Sequence, residues 1–311
     1  MRIFKYGEIK NAPGGGVIAL GFFDGVHSAH RSLLRETKNK AREIGAPFGI
    51  FTFSAESEIK VGSPRLYSTE ERLDFFEELG ADFAVVADFA AICTLSPEEF
   101  VGDALIDGLR ARIAYAGFNF KFGRGASADS EDLIRLMRAH GRDAVICDEI
   151  TDGGEVISAT AIRGLIETGR IERANEILGT PYYVRGIVER GNGNGHSLGF
   201  PTVNTALDKK RVKPKNGVYR SAVSVRGRLY NGVTNIGSCP TLGEREIHAE
   251  TYIIDFSESI YGETVRVYLL GYLREEKVFS SPKELIMQIE VDKKQTLDKN
   301  GEEKWQELGL K

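Results

Sequence analysis

Val17–His30 reads VIALGFFDGVHSAH, and this stretch decides the fold of the first half of the chain. Val17–Phe23 is an unbroken apolar run of strand length, as expected of a strand buried on both faces. Asp24–Gly25 makes a turn. Ser28–Ile44 then places Leu33, Leu34, Ala41 and Ile44 on one face, the pattern of an amphipathic helix. The free N–H groups and positive end of a helix N-terminus attract anions. His27 and His30, three positions apart, share a helix face there. Gly21, Phe23, Asp24, Gly25, His27 and His30 therefore form a first candidate phosphate site. Two plainer readings stand beside it. The histidines are incidental surface residues, or they are two ligands of a zinc ion, for which no third His or Cys lies nearby in sequence.

Outward from this stretch the pattern repeats. Phe48–Phe53, Phe83–Ala87, Ile113–Ala116 and Ala144–Cys147 read as further buried strands. Thr69–Leu79, Ser96–Leu109 and Ser130–Ala139 read as helices between them. Ser68 and Ser96 act as caps, and Pro97 stands at a first helical position. This β–α alternation predicts a Rossmann-like α/β domain, a parallel sheet with helices on both faces. From Tyr182 onward the runs are short and alternating, with turn signals at Arg226–Gly227 and Tyr261–Gly262. They predict an antiparallel β-sheet or β-barrel with one C-terminal helix, Pro282–Leu297. The expected domains are residues 1–180 and 181–311.

The 311 residues suit two domains. With 41% hydrophobic and 28% charged residues, the chain is an ordinary globular protein and not a disordered one. A net charge of −4 and a pI near 5.9 disfavour nucleic acid as a partner. No apolar run of membrane-spanning length occurs, and the N-terminus lacks the apolar core of a signal peptide. Three scattered cysteines, Cys93, Cys147 and Cys239, fit reduced thiols in the cytoplasm.

Three more segments carry chemistry. Gly117–Gly125, GFNFKFGRG, follows a strand and offers Lys121 and Arg124 to a phosphate. Ile157–Arg163, ISATAIR, offers Ser158 and Thr160 as caps or phosphate donors, with Arg163 one turn on. The plain reading of that segment is an ordinary N-cap. Open α/β sheets bind ligands at such strand ends. In the second half, Gly191–Asn204 reads GNGNGHSLGFPTVN. It is not a P-loop, which needs a Gly-Lys-Ser/Thr step into a helix. Gly191, Gly193 and Gly199 allow backbone N–H groups to wrap a nucleotide, ahead of Pro201. Thr202 and Asn204, two apart on a strand, project to one side, and their oxygens suit Mg²⁺.

With these motifs together, G-x-F-D-G-x-H-x-x-H followed by I-S-A-T-A-I-R resembles the nucleotidylyltransferase superfamily. The whole chain, through PTVN, NGVY, NIGSCPTL, HAETYIIDF and YLREEKVF, resembles the bacterial bifunctional riboflavin kinase/FAD synthetase family. The resemblance implies two consecutive reactions. Riboflavin and ATP give FMN and ADP in the barrel. FMN and ATP then give FAD and pyrophosphate in the first domain. It implies Glu250 as the base, Thr202 and Asn204 on Mg²⁺ with ATP, and Asn235, Gly237 and Arg274 toward the flavin. His27, His30 and Arg163 would hold the triphosphate, with Asn119 and Asp129 beside the adenylylation substrates. Arg274 has a second reading, pairing with Glu275 or Glu276.

The first half departs from the family pattern at Ala29, Ala128, Ala159 and Ser54–Ser57, and the barrel half departs less. A kinase with weak or lost adenylyltransferase activity is the alternative, and a non-catalytic flavin or nucleotide binder a further one. The expected assembly is a monomer or weak homo-oligomer without membrane contact.

Overall fold

The computed structural model describes residues 1–54, 64–190, 200–241 and 244–302. It divides into two compact units, Met1–Ala159 and Thr160–Lys311.

The first unit is built on a six-stranded, wholly parallel sheet. Its strands are β1 (Arg2–Lys5), β2 (Val17–Leu20), β3 (Phe48–Phe53), β4 (Phe83–Ala87), β5 (Ile113–Gly117) and β6 (Asp143–Cys147), in the order β1-β4-β3-β2-β5-β6. All four residues of β2 are buried, so both of its faces are covered, as its unbroken apolar run requires. The run VIALGFF is not all strand. β2 ends at Leu20, and Gly21–Phe23 belong to the turn. The chain builds β2, β3 and β4 in one direction and then returns to place β5 on the other side of β2. The order therefore reverses between β2 and β5, the crevice where doubly wound sheets bind ligands.

Helix α1 (Ser28–Glu43) packs on β2, β3 and β5, and α2 (Thr69–Glu78) begins with a Ser68/Glu71 capping box. Beyond the short α3 (Phe89–Ile92), α4 (Pro97–Glu99) starts with the matching Ser96/Glu99 box and runs into a π-helical segment, Phe100–Gly108. α5 (Ser130–Ala139) packs on β5 and β6. A core including Leu20, Phe51, Val85, Phe100, Leu105 and Leu133 lies against the sheet. The sequence reading missed β1, a half-exposed edge strand without an apolar run. It also missed a two-residue hairpin, β7 (Thr151–Asp152) with β8 (Glu155–Val156).

The second unit begins with α6 (Ala159–Glu167) and α7 (Ile171–Leu178). These helices belong to the barrel by hydrogen bonding. Asn175 Nδ2 donates to the Leu269 carbonyl at 2.8 Å, and the Lys215 N–H donates to Ile166 O at 3.2 Å. The two compact units meet at 159/160. Strands β9 (Tyr183–Glu189), β10 (Thr202–Ala206), β11 (Gly217–Val225), β12 (Arg228–Thr241), β13 (Glu244–Ile253) and β14 (Thr264–Arg274) form a closed antiparallel barrel in the order β10-β13-β12-β11-β14-β9. Closure leaves no strand edge unpaired. Val218, Val223, Ile236, Ala249, Val267 and Leu269 are among its buried residues.

Helix α8 (Pro282–Glu302) packs on β11 and β12. Its most buried side chains are polar: Asp292, Thr296 and Asn300, four apart, while Met287 and Val291 are exposed. Hydrogen bonds account for it at Asp292 and Asn300, while Thr296 Oγ1 has no partner among the described residues. Asn300 Nδ2 donates to Ser221 O at 3.2 Å and to Asn231 Oδ1 at 2.9 Å, and Arg220 donates to Asn300 Oδ1 at 3.0 Å.

Candidate functional site

Each unit carries its own constellation. In the first, the turn between β2 and α1 is tightly wound. Phe23 and Val26 take left-handed backbone conformations (φ 56° and 42°) that cost non-glycine residues energy, and Gly25 takes another (φ 84°). A side chain at Gly21 would run into the Phe23 ring, 2.9 Å from the position of its Cβ. His27 caps α1, its Nδ1 accepting from the His30 N–H at 3.4 Å. That acceptor role puts the ring proton on Nε2, leaving a neutral donor for an anion.

The two imidazoles stack, with centroids 3.6 Å apart and planes 18° from parallel. Phe23 meets His30 edge-on at 5.3 Å. Burial lowers His27 to a pKa of about 4. Burial, then His27, then Arg72 hold His30 well below its ordinary value. Both rings are therefore neutral at pH 7. The zinc alternative finds no support, since no group of three His, Cys, Asp or Glu able to hold a metal occurs among the described residues.

Asp24 belongs to the same turn. It is buried, and its Oδ1 accepts from the Leu66 N–H at 2.9 Å, fastening the turn to the segment before α2. Asn119 sits exposed in the loop after β5, at the same sheet end as the β2 turn. Asp129 is the N-cap of α5, accepting from Glu131 N at 3.0 Å and Asp132 N at 3.3 Å, with Lys121 at 3.5 Å. That capping role accounts for its place in the sequence. Arg124 donates to Thr94 O at 3.0 and 2.9 Å. Ser158 precedes α6. Thr160 and Arg163 fall in the second unit, where Arg163 donates to Thr160 Oγ1 at 2.9 Å.

The barrel constellation rests on strand register. Asn204 on β10 lies directly opposite Glu250 on β13, which lies opposite Asn235 on β12. Asn235 in turn faces Val218 on β11, and Val218 faces Arg274 on β14. One cross-strand row thus carries four of the candidate residues, with side chains of opposed residues on one face. Thr202, two residues before Asn204, donates to Glu250 Oε1 at 2.9 Å. Its hydroxyl keeps lone pairs while donating. The side-chain oxygens of Thr202 and Asn204 beside a carboxylate are the donor set a hard divalent cation takes, so these residues fit Mg²⁺.

Pro201 is exposed, and its neighbour Phe200 packs edge-on against Tyr252 at 5.2 Å. Gly191, Gly193 and Gly199 lie outside the described residues, as do positions 55–57.

Asn235 Nδ2 donates to Glu276 Oε1 at 3.3 Å, while its Oδ1 is buried without a partner among the described residues. Gly237 leaves room for that carboxylate, since a Cβ there would collide with Glu276 Oε1. Arg274 pairs with neither the Glu275 nor the Glu276 carboxylate. Its Nη2 donates to Asp292 Oδ2 at 2.8 Å and its Nε to both Asp292 oxygens at 3.1 Å. Its Nη1 donates to the Glu275 carbonyl at 3.0 Å. It pins β14 to α8. Sequence reasoning names Glu276 only as a possible partner of Arg274 and does not reach Asp292 or Arg72, whose partners are remote in sequence.

Comparison with known proteins follows these two constellations. Residues 9–161 match the FAD synthetase family model, and residues 178–299 match the riboflavin kinase model. The chain belongs to the bifunctional riboflavin kinase/FMN adenylyltransferase family. It is 33% identical to the bifunctional riboflavin kinase/FMN adenylyltransferase of Bacillus subtilis, covering 93% of this chain and 94% of that one. It is 31% identical to the Escherichia coli K12 protein of the same name, covering 92% and 93%. A crystal structure described as a macrolide-efflux protein from Streptococcus pneumoniae superposes with a TM-score of 0.86 at 30% identity, covering 95% of this chain and 99% of that one. No described helix of the present chain is long and apolar enough to cross a membrane. The family assignment agrees with the fold, since the FAD synthetase match spans the parallel sheet and the riboflavin kinase match spans the barrel.

Proposed function

We propose that the barrel phosphorylates riboflavin and that the parallel-sheet unit adenylylates the resulting FMN. The observation that carries the reading is the Thr202–Glu250 hydrogen bond, set on one row with Asn204 and Asn235.

In the barrel, Glu250 accepts the proton of the riboflavin 5′-hydroxyl as that oxygen bonds the γ-phosphorus of ATP. The bond from the γ-phosphorus to the bridging oxygen breaks, and ADP leaves. Thr202 occupies Oε1, which leaves Oε2 for the incoming proton. Thr202 and Asn204 would hold Mg²⁺, which when bound with ATP neutralises charge on the phosphates. Asn235 and Gly237 border the place where the alcohol enters.

In the first unit, an FMN phosphate oxygen attacks the α-phosphorus of ATP, and pyrophosphate leaves. Charge moves onto the departing phosphates, and the chain's contribution is to orient and stabilise it. His27 and His30 donate as neutral rings, with the N–H groups at the start of α1 beside them. Ser158, in the same unit, adds a hydroxyl donor in this reading.

As part of it, the enzyme is cytoplasmic, a monomer or weak homo-oligomer, and handles small molecules and not nucleic acid. Chromatography of products from riboflavin, ATP and Mg²⁺ tests the proposal: FMN appears first and FAD follows. FMN that accumulates without FAD, even when FMN is supplied, would remove the second activity. No FMN from riboflavin would remove the first activity.

A further inference from the structure

Behind the histidine turn lies an arginine that no reading of the motifs singles out. Arg72, on α2, is completely buried. Its Nη1 donates to the Phe22 carbonyl and, at 2.9 Å, to Thr52 Oγ1. Its Nη2 donates to the Phe53 carbonyl at 2.6 Å. Thr52 Oγ1 itself donates to Phe22 O at 3.0 Å, so three groups close one knot. The guanidinium also lies over the Phe22 ring, 4.6 Å from its centroid, with Arg65 at 5.1 Å from the same centroid.

Phe22 immediately precedes Phe23, the left-handed residue whose ring meets His30. At the far end of the turn, Arg31 Nε donates to Val26 O at 2.9 Å. A turn with two non-glycine residues at positive φ persists only where its surroundings over-determine it. A guanidinium suits that task, because its rigid plane spreads donors over separate nitrogens and fixes acceptors in the turn and on β3 at once, whereas a lysine ammonium offers its donors from a single atom.

We propose that Arg72 is a positioning residue of the adenylyl-transfer site: by tying Phe22 O to the end of β3 it sets the strained turn from which His27 and His30 are presented. The inference rests on the reading of those histidines as phosphate donors. Arg72 touches no reacting atom in it. Its effect passes through the turn.

Full-length R72K, T52V and H27N are compared with the unaltered chain. R72K keeps the charge and loses the fork, and the turnover of FMN to FAD falls about tenfold to a hundredfold, the scale of an ångström-sized misplacement. T52V removes one member of the knot and gives a smaller loss of the same kind. Riboflavin phosphorylation, in the separate barrel unit, stays within about twofold and serves as the internal control. Ring-proton NMR of His27 and His30 shows shifted signals in folded R72K.

R72K at full rate, with H27N impaired, overturns the inference alone. So does a rate loss that merely tracks the unfolded fraction while the folded population keeps unaltered histidine signals. H27N at full rate overturns the histidine assignment, and this inference with it.

Discussion

In the proposed reading, the two halves of the chain meet phosphates by different physical means. The sheet unit presents a helix start and two stacked, uncharged imidazoles at the crevice between β2 and β5. The barrel presents oxygen atoms and a carboxylate arrayed along one cross-strand row. Each site also leans on an arginine, in opposite ways. Arg72 grips neutral carbonyls and a hydroxyl, whereas Arg274 grips the buried carboxylate of Asp292. A site that orients an existing phosphate nucleophile needs no base. A site that activates an alcohol does, and Glu250 stands in the barrel row beside Asn204 and Asn235, whereas Asp24 and Asp129 of the sheet unit accept backbone N–H groups.

The comparison breaks first at Glu250. E250Q keeps the shape and loses the base, so phosphorylation of riboflavin falls about a thousandfold, within the range general bases contribute, while supplied FMN is still adenylylated. A steady-state assay of both steps reads this, and an equal loss in both would show that the sites are not chemically separate.

Next comes the Arg274–Asp292 pair, whose side chains are 15% and 2% exposed. Arg274→Met leaves a buried carboxylate without its counter-charge and destabilises the barrel by about 3 kcal/mol. The second change Asp292→Asn restores part of it. Urea unfolding of the two variants measures both effects, and a Met variant as stable as the unaltered chain would reduce the pair to a surface contact.

His27→Asn retains a capping side chain and removes the Nε2 donor. FAD formation falls about a hundredfold, the cost of losing one donor to developing charge. FMN formation does not change.

The smallest expected effect is in pH. His27 is held near 4 in the folded chain against an ordinary value of 6.5. The unfolded chain therefore takes up the proton first as pH falls. Stability of the first unit is full above pH 6.5 and is lost below it, by roughly 1 kcal/mol between pH 7 and 5.5. His30 shifts in the same direction. Denaturant curves across that range show the slope, and H27N flattens it. An unchanged slope in H27N would mean that His27 is solvated.

Much of the fold was legible because its signals are local. The apolar runs that end at β3, β4 and β6 needed only a hydrophobicity pattern, and Ser68 and Ser96 with a glutamate three residues on announced their helices. β1 escaped because an edge strand needs no continuous apolar face. The site was legible in part. The turn holding His27 and His30, and the alternation of Thr202 with Asn204, are short-range facts. Asp24 fastens the turn and Asp129 caps α5, contacts that the motifs alone do not reveal. A carboxylate close to backbone N–H groups serves either purpose, and only the surrounding chain distinguishes them.

The sequence by itself determined two units, their element types, and which short stretches bear phosphate-handling side chains, since periodicity and turn chemistry act over a few residues. The tertiary structure decided who faces whom. Glu250 stands between Asn204 and Asn235 because barrel closure sets a register among strands distant in the chain. Arg274 turns to Asp292, and Arg72 to the carbonyls behind the histidines, because a long cationic side chain takes the acceptors that folding brings within its reach.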